Sequence, residues 1–181
     1  ITDTGSAKCR VIDEIESIIP DNLHFIPGHP IAGTEMSGPE SGFEELFDNR
    51  WCILTPSKNT NIDKLNEIKI FWENLGAMIE IMDPIYHDKV LAITSHIPHL
   101  IAFNIVGTAN DLANINKKEV VKYSAGGFRD FTRIAASDPV MWRDIFVHNS
   151  EAVLEMLNYF SKDLDDLKLA IKEKNSEYLE D

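Results

Sequence analysis

Hydrophobic positions in the first 83 residues change period several times, and each change marks an element. ITDTGS, at the start, reads as a strand end and a turn. From Ala7 onward, Val11, Ile12, Ile15, Ile18 and Ile19 recur at helical steps until Pro20 and Asp21 stop them, because proline lacks the N–H that a helix interior needs. LHFIPG predicts a second strand, Pro39–Phe47 a short helix, and RWCILTP a buried strand ended by Pro56. Over NIDKLNEIKIFWENLG, Ile62, Leu65, Ile68, Phe71, Trp72 and Leu75 share one helical face that ends at Gly76, and AMIEIMDP returns to strand. This alternation of strand and helix predicts a parallel α/β sheet.

The pattern changes at Asp83-Pro84. From Ile85 onward no strand signal survives, and residues 85–110 predict one long apolar helical stretch interrupted by Pro98. Farther on, Ile145, Val153, Leu157, Phe160, Leu164, Leu167 and Ile171 fall at three- and four-residue steps. Helices this long and apolar need a partner surface. The expectation is an α/β unit over residues 1–83 and an all-α unit over 84–181, with no internal repeats and no low-complexity tracts.

Composition narrows the function. With 181 residues, 44% hydrophobic and 26% charged, the chain has the make-up of an ordinary soluble globular protein of one large or two small domains. A net charge of −13 argues against nucleic acid and against anionic membrane surfaces, because both repel such a protein. An anionic small substrate stays compatible if a few arginines are focused on it. Cys9 and Cys52 give no disulfide framework, so a reduced, cytoplasmic setting is expected. No apolar run is expected to approach a membrane span and no signal peptide is recognised. ITDTGS, which lacks an initiator Met, reads like a strand end entered in mid-domain.

Four clusters are candidates for chemistry. In DTGS, Ser6 follows a strand end and opens a helix, so its hydroxyl is placed either to cap that helix or to face a ligand. In FIPGHPIAGTE, Gly28 permits a turn or a close approach and Pro30 stiffens the chain after His29. That predicts His29 at a strand end with its ring presented outward, and the Glu35 carboxylate follows six residues later. In TSHIPHL, His96 and His99 are either buried, hydrogen-bonded core residues or face a substrate. With no cysteine or carboxylate beside them at ligand spacing, a metal site is not expected. SAGGFRDFTRIAASDPVMWRD combines free backbone amides at Gly126-Gly127 with Arg129, Arg133 and Arg143, whose planar forks suit carboxylates. The alternative for these arginines is pairing with Asp130, Asp138 and Asp144. No G-x-G-x-x-G follows a strand, so a dinucleotide phosphate turn is missing.

Taken in order, DTGSAK, GHPIAGTEMSG, LF…WCILTP, SHIPHLIAF and GGFRDFTRIAASDPVMWRDI resemble the prephenate dehydrogenase family, with arogenate dehydrogenase as a close relative. The resemblance covers almost the whole chain. It implies the second half of a Rossmann-type NAD(P) domain, lacking its glycine fingerprint, followed by an all-α dimerisation domain. It also implies oxidative decarboxylation of prephenate to 4-hydroxyphenylpyruvate in tyrosine biosynthesis, with hydride passing to NAD or NADP. By the same resemblance His29 is the catalytic histidine, and Ser6 holds the substrate hydroxyl and the nicotinamide region. Glu35 and His96 belong to the substrate pocket, Arg133 binds a carboxylate, Gly126 makes a backbone contact, and Trp142 is contributed across the dimer. A chain without the glycine turn is expected to be inactive alone. The alternatives are arogenate as the substrate and a non-catalytic dimerisation module.

Overall fold

The computed structural model describes residues 1–34, 36, 38–111 and 125–180. Helix α1 (Cys9–Glu16) precedes strand β1 (Gly28–Pro30), and β2 (Trp51–Leu54), α2 (Ile62–Asn74) and β3 (Met78–Ile81) follow. The sheet order is β1-β2-β3, and Ile26, just ahead of β1, bridges to Thr2 in parallel. One face of the sheet buries Ile26, Cys52 and Leu54 against Leu65 and Trp72 of α2 and against Ala77. The Asn61 side chain caps α2 by accepting the Lys64 amide at 3.1 Å, a contact typically worth about 1 kcal/mol. The exit from α2 needs Gly76: its φ is +89°, and a Cβ there would stand 3.1 Å from the Asp48 Cα.

The sheet is mixed, which corrects the expectation of a parallel one. β2 and β3 are parallel, but β1 is antiparallel to β2, with His29 opposite Ile53. A parallel pairing needs a crossover, usually helical. The Pro39–Phe47 helix expected there is instead a single 3₁₀ turn, Pro39–Ser41, flanked by Gly38 and Gly42, and glycine disfavours helix propagation.

The second correction concerns Pro98. It does not interrupt the helical stretch: α3 (Pro84–Leu91), a π-helical turn (Ala92–His96) and α4 (Ile97–Asp111) follow without a break. Proline has no N–H to offer the carbonyl four residues back, and the widened turn just before it absorbs that mismatch. The third correction is that this run, Pro84–Asp111, is long and apolar enough to cross a membrane by length and composition. We read it as a packed helix. Ala92 and Ile97 lie against Ala152 and Val153, and its buried His87, Asp88 and His96 are bonded to other elements, as described below.

The remaining described elements are α5 (Gly126–Ile134), α6 (Pro139–His148), α7 (Ser150–Glu173) and α8 (Ser176–Glu180). Two Asp-Pro dipeptides start helices in the same way. Asp83 accepts the amides of Ile85 at 2.9 Å and Tyr86 at 3.1 Å, and Asp138 those of Val140 at 2.7 Å and Met141 at 3.1 Å. In each case the next residue is proline at the first helical position, where its missing N–H costs nothing. No strand follows β3 among the described residues. The described residues thus form an α/β part with a mixed sheet followed by an all-α part.

Candidate active site

His29 is not presented outward as its loop context predicted. It lies within β1, only 7% exposed, and its Nδ1 is 2.9 Å from Nε2 of His87 in the first turns of α3. The other ring nitrogen of His87, Nδ1, is 2.8 Å from the Asp88 carboxylate. That carboxylate also reaches back across the molecule, where its two oxygens accept the backbone amides of Lys8 at 2.8 Å and Cys9 at 2.9 Å. These are orphan donors at the start of α1, whose own cap position, Lys8, makes no side-chain cap. The helix is therefore capped from α3 rather than by Ser6. Asp88 binds α1, His87 and the start of α3 into one unit.

A second tie fixes the strand that carries His29. The Lys8 side chain is fully buried, paired with Asp3, and its Nζ donates to the Gly28 carbonyl at 2.7 Å. Asp3 in turn accepts the Gly28 amide at 3.0 Å and the Gly5 amide at 2.9 Å. Glycine at 28 permits this approach, since a Cβ there would stand 3.0 Å from the Asp3 carbonyl oxygen. Ser6, half-buried, lies in the loop that these bonds hold beside β1.

His96, the last residue of the π-turn, is 1% exposed. Its Nδ1 is 3.1 Å from Nδ2 of Asn149, and the same Nδ2 donates to the Asp88 carbonyl at 2.8 Å. The His96 Nε2 is buried with no hydrogen-bond partner among the described residues. Trp142 is buried against its own chain's histidines, stacked on His99 with centroids 3.6 Å apart and edge-on to His96 at 6.1 Å. Arg133 and Gly126 lie on exposed α5: the Arg133 side chain is 58% exposed and its Nε is 3.9 Å from Asp130 Oδ1. Arg143 pairs with Asp144 at 2.7 Å. Glu35 lies outside the described residues. No group of three or more His, Cys, Asp or Glu side chains among the described residues could hold a metal.

The electrostatics follow from burial. Burial foremost, then the neighbouring His87, Lys8 and His96, push the His29 pKa down to about 3. Burial likewise lowers His96 to about 4; Asp88 opposes that shift, while His87 and His99 add to it. Burial works to raise the Asp88 carboxyl, but hydrogen bonds from His87 and from the Cys9 and Lys8 amides outweigh it and hold the pKa below its ordinary value. Two neutral rings and one carboxylate therefore meet at neutral pH. Burial, with Asp88, pushes the Cys9 thiol up to about 12, so it is no nucleophile.

The lowered histidine values set a stability test. Above pH 6.5 both rings are neutral, folded or unfolded, and contribute nothing. Below it the unfolded chain binds protons that the fold refuses, so stability falls as pH drops from 6.5 towards 4 and 3. The melting temperature is expected to drop between about pH 7 and about pH 4.5, and to drop less in a His29→Asn, His96→Gln double variant. Equal losses in the two proteins would contradict this assignment.

Sequence reasoning brought His29, His96 and Ser6 forward but missed Lys8, His87, Asp88 and Asn149. The one legible signal was the adjacent His-Asp pair just inside an Asp-Pro helix start, DPIYHD.

The sequence model of "Prephenate dehydrogenase, nucleotide-binding domain" matches residues 1–81 and that of "Prephenate dehydrogenase, dimerization domain" residues 83–181. A cyclohexadienyl dehydrogenase of Zymomonas mobilis is 42% identical over 179 residues, covering 99% of this chain and 61% of that protein. Prephenate dehydrogenase of Bacillus subtilis is 36% identical, with 99% of this chain and 48% of that one covered. Among solved structures, prephenate dehydrogenase from Aquifex aeolicus in complex with hydroxyphenyl propionate and NAD+ superposes with TM-score 0.89 at 42% identity, covering 98% of this chain and 61% of that chain. Synechocystis arogenate dehydrogenase gives 0.81 at 27% identity, with 96% and 62% covered. The chain thus spans between about half and three-fifths of the length of these relatives.

Proposed function

This chain belongs to the prephenate dehydrogenase family, and from that membership we propose that it supplies the substrate-facing part of an enzyme that oxidatively decarboxylates prephenate, with NAD as hydride acceptor. The observation that carries the reading is the buried His29–His87–Asp88 chain, whose open end is the His29 Nε2. No group among the described residues bonds that nitrogen.

A nicotinamide nucleotide, when bound, supplies the acceptor for the hydride that leaves C4 of the substrate. As that C–H bond breaks, the C4 hydroxyl becomes strongly acidic, and the unprotonated His29 Nε2 takes its proton. The electron pair of the departing carboxylate then enters the ring, CO2 leaves, and the ring becomes aromatic. The proton held at His29 is free to return to the phenolate oxygen. In this reading Ser6 serves this hydroxyl, His96 and Trp142 serve the substrate pocket, Arg133 receives a carboxylate and Gly126 makes a backbone contact; Glu35, outside the described residues, is assigned to the pocket by family resemblance alone. The described residues do not themselves fit the pyrophosphate of the nucleotide. The amides at the start of α1 are taken by Asp88, and no glycine-rich phosphate turn is present.

A non-catalytic module is disfavoured on physical grounds. A bare scaffold has no use for a buried His29–His87–Asp88 chain that ends in an open nitrogen. The test is an assay of the full-length protein carrying this chain, following NADH formation with prephenate and, separately, with arogenate. Faster turnover of prephenate supports the reading, preference for arogenate moves the substrate to its amino analogue, and turnover of neither overturns it.

The domain reading, 1–83 and 84–181, goes with a soluble, cytoplasmic homodimer. Leu164, Leu167 and Ile171 of α7, at three- and four-residue steps, are each more than 40% exposed, an apolar stripe of the kind that a second copy covers. The 181-residue chain is expected to be a dimer by light scattering at micromolar concentration. A monomeric mass would refute that assembly.

A further inference from the structure

We propose that Asp88 is a hub that sets opposite tautomers on two buried histidines, leaving His29 with a bare Nε2 and His96 with a protonated one. His87, Asp88 and Asn149 then act as positioning residues, through their histidine partners. The use made of these tautomers rests on the reading of His29 as proton acceptor, whereas the tautomers themselves follow from donor and acceptor counting on singly protonated rings.

On one arm the Asp88 carboxylate can only accept. It already accepts the Lys8 and Cys9 amides, so the 2.8 Å contact to His87 Nδ1 requires the proton on that nitrogen. A His87 ring that carries this single proton has only a lone pair at Nε2. The 2.9 Å contact from there to His29 Nδ1 places a proton on His29 Nδ1. A neutral His29 is left with a lone pair at Nε2, the nitrogen that no described residue bonds. On the other arm the Asp88 carbonyl also only accepts, so Asn149 must turn its NH2 towards it, as the 2.8 Å distance records. The second hydrogen of that NH2 points to His96 Nδ1 at 3.1 Å, which must then be the acceptor. The proton of His96 sits on Nε2, buried and unpaired.

The two arms give complementary polarity. His29 offers an acceptor to a hydroxyl that must lose its proton, and His96 offers a donor to a substrate oxygen. Both assignments descend from one residue whose carboxylate also caps α1, so the α/β part and the helical part cannot shift independently without disturbing both histidines.

Nitrogen NMR of the full-length protein labelled with ¹⁵N-histidine reads the tautomers through couplings to the ring protons. The expected spectrum at neutral pH has His29 as Nδ1–H and His96 as Nε2–H. His87→Leu should release the His29 tautomer and lower kcat by roughly 10–1,000-fold with KM little changed, while His87→Gln, whose carbonyl can still accept from His29 Nδ1, should largely restore both. A His29 found as Nε2–H, as a doubly protonated His87 would impose, overturns the proposal. So does a His96 found as Nδ1–H, or a folded His87→Leu protein with unchanged tautomer and kcat. If His87→Leu fails to fold, the wild-type spectrum alone decides. Expected tautomers in a protein that oxidises neither prephenate nor arogenate would sink the functional reading and leave this one standing.

Discussion

His29→Asn in the full-length protein is expected to lower kcat by about 10²–10⁴-fold while KM changes little. The structure explains why this substitution separates chemistry from architecture. In β1 the His29 Nδ1 faces His87 Nε2 at 2.9 Å, and an asparagine amide at that position still has an N–H to offer His87. The strand is held independently by Gly28, through Asp3 and Lys8, so the fold does not depend on the ring. What asparagine lacks is a nitrogen lone pair able to take a proton. Because burial keeps His29 unprotonated far below neutral pH, the wild-type ring is ready as an acceptor throughout the physiological range. It need only match a hydroxyl made acidic by loss of the neighbouring hydride. Steady-state kinetics of the variant, with a circular-dichroism melt to establish folding, test this. A fall in kcat of less than about tenfold would shift the role of base to another group, and a raised KM with unchanged kcat would make His29 a binding residue.

Much of this fold was legible because it depends on local patterns. The apolar face of α2, the stop at Gly76, and the change of period at Asp83-Pro84 are written in contiguous residues, and each corresponds to an observed element or its end. The errors arose where long-range pairing decides. The direction of β1 is set by its partner β2, which no residue of GHP encodes. Pro98 looked like a break because a proline is judged against an α-helix, whereas the turn before it is π-helical. His29 came forward because glycine and proline surround it, yet its environment was misread. Its ring is met by His87, itself held by Asp88, and both come from beyond the change of pattern and reach it only through folding. Lys8 and Asn149 were illegible for the same reason, since Gly28 and Asp88, to which they donate, lie 20 and 61 residues away.

Arg133 gives the second large effect, and here the structure sharpens the choice between two roles. A substrate with two carboxylates, in a protein of net charge −13, is held only if the fold brings positive charge to it. A guanidinium grips a carboxylate with two parallel charge-assisted bonds, each typically contributing about 1.5–3 kcal/mol. Arg133→Ala in the full-length protein is therefore expected to raise KM for prephenate by roughly 10–100-fold, with kcat changed far less, because the contact exists before hydride transfer and persists through it. Arg133→Lys, which keeps the charge and loses the fork, should fall between the two. The competing role is a structural ion pair with Asp130. That pair is 3.9 Å long, with side chains 58% and 74% exposed, a geometry worth little in water. The loss of that pair by itself is thus expected to cost little stability. Kinetics and thermal unfolding of the same Arg133→Ala protein decide between them: an unchanged KM with a clearly lowered melting temperature would make the guanidinium part of the fold and remove it from the substrate.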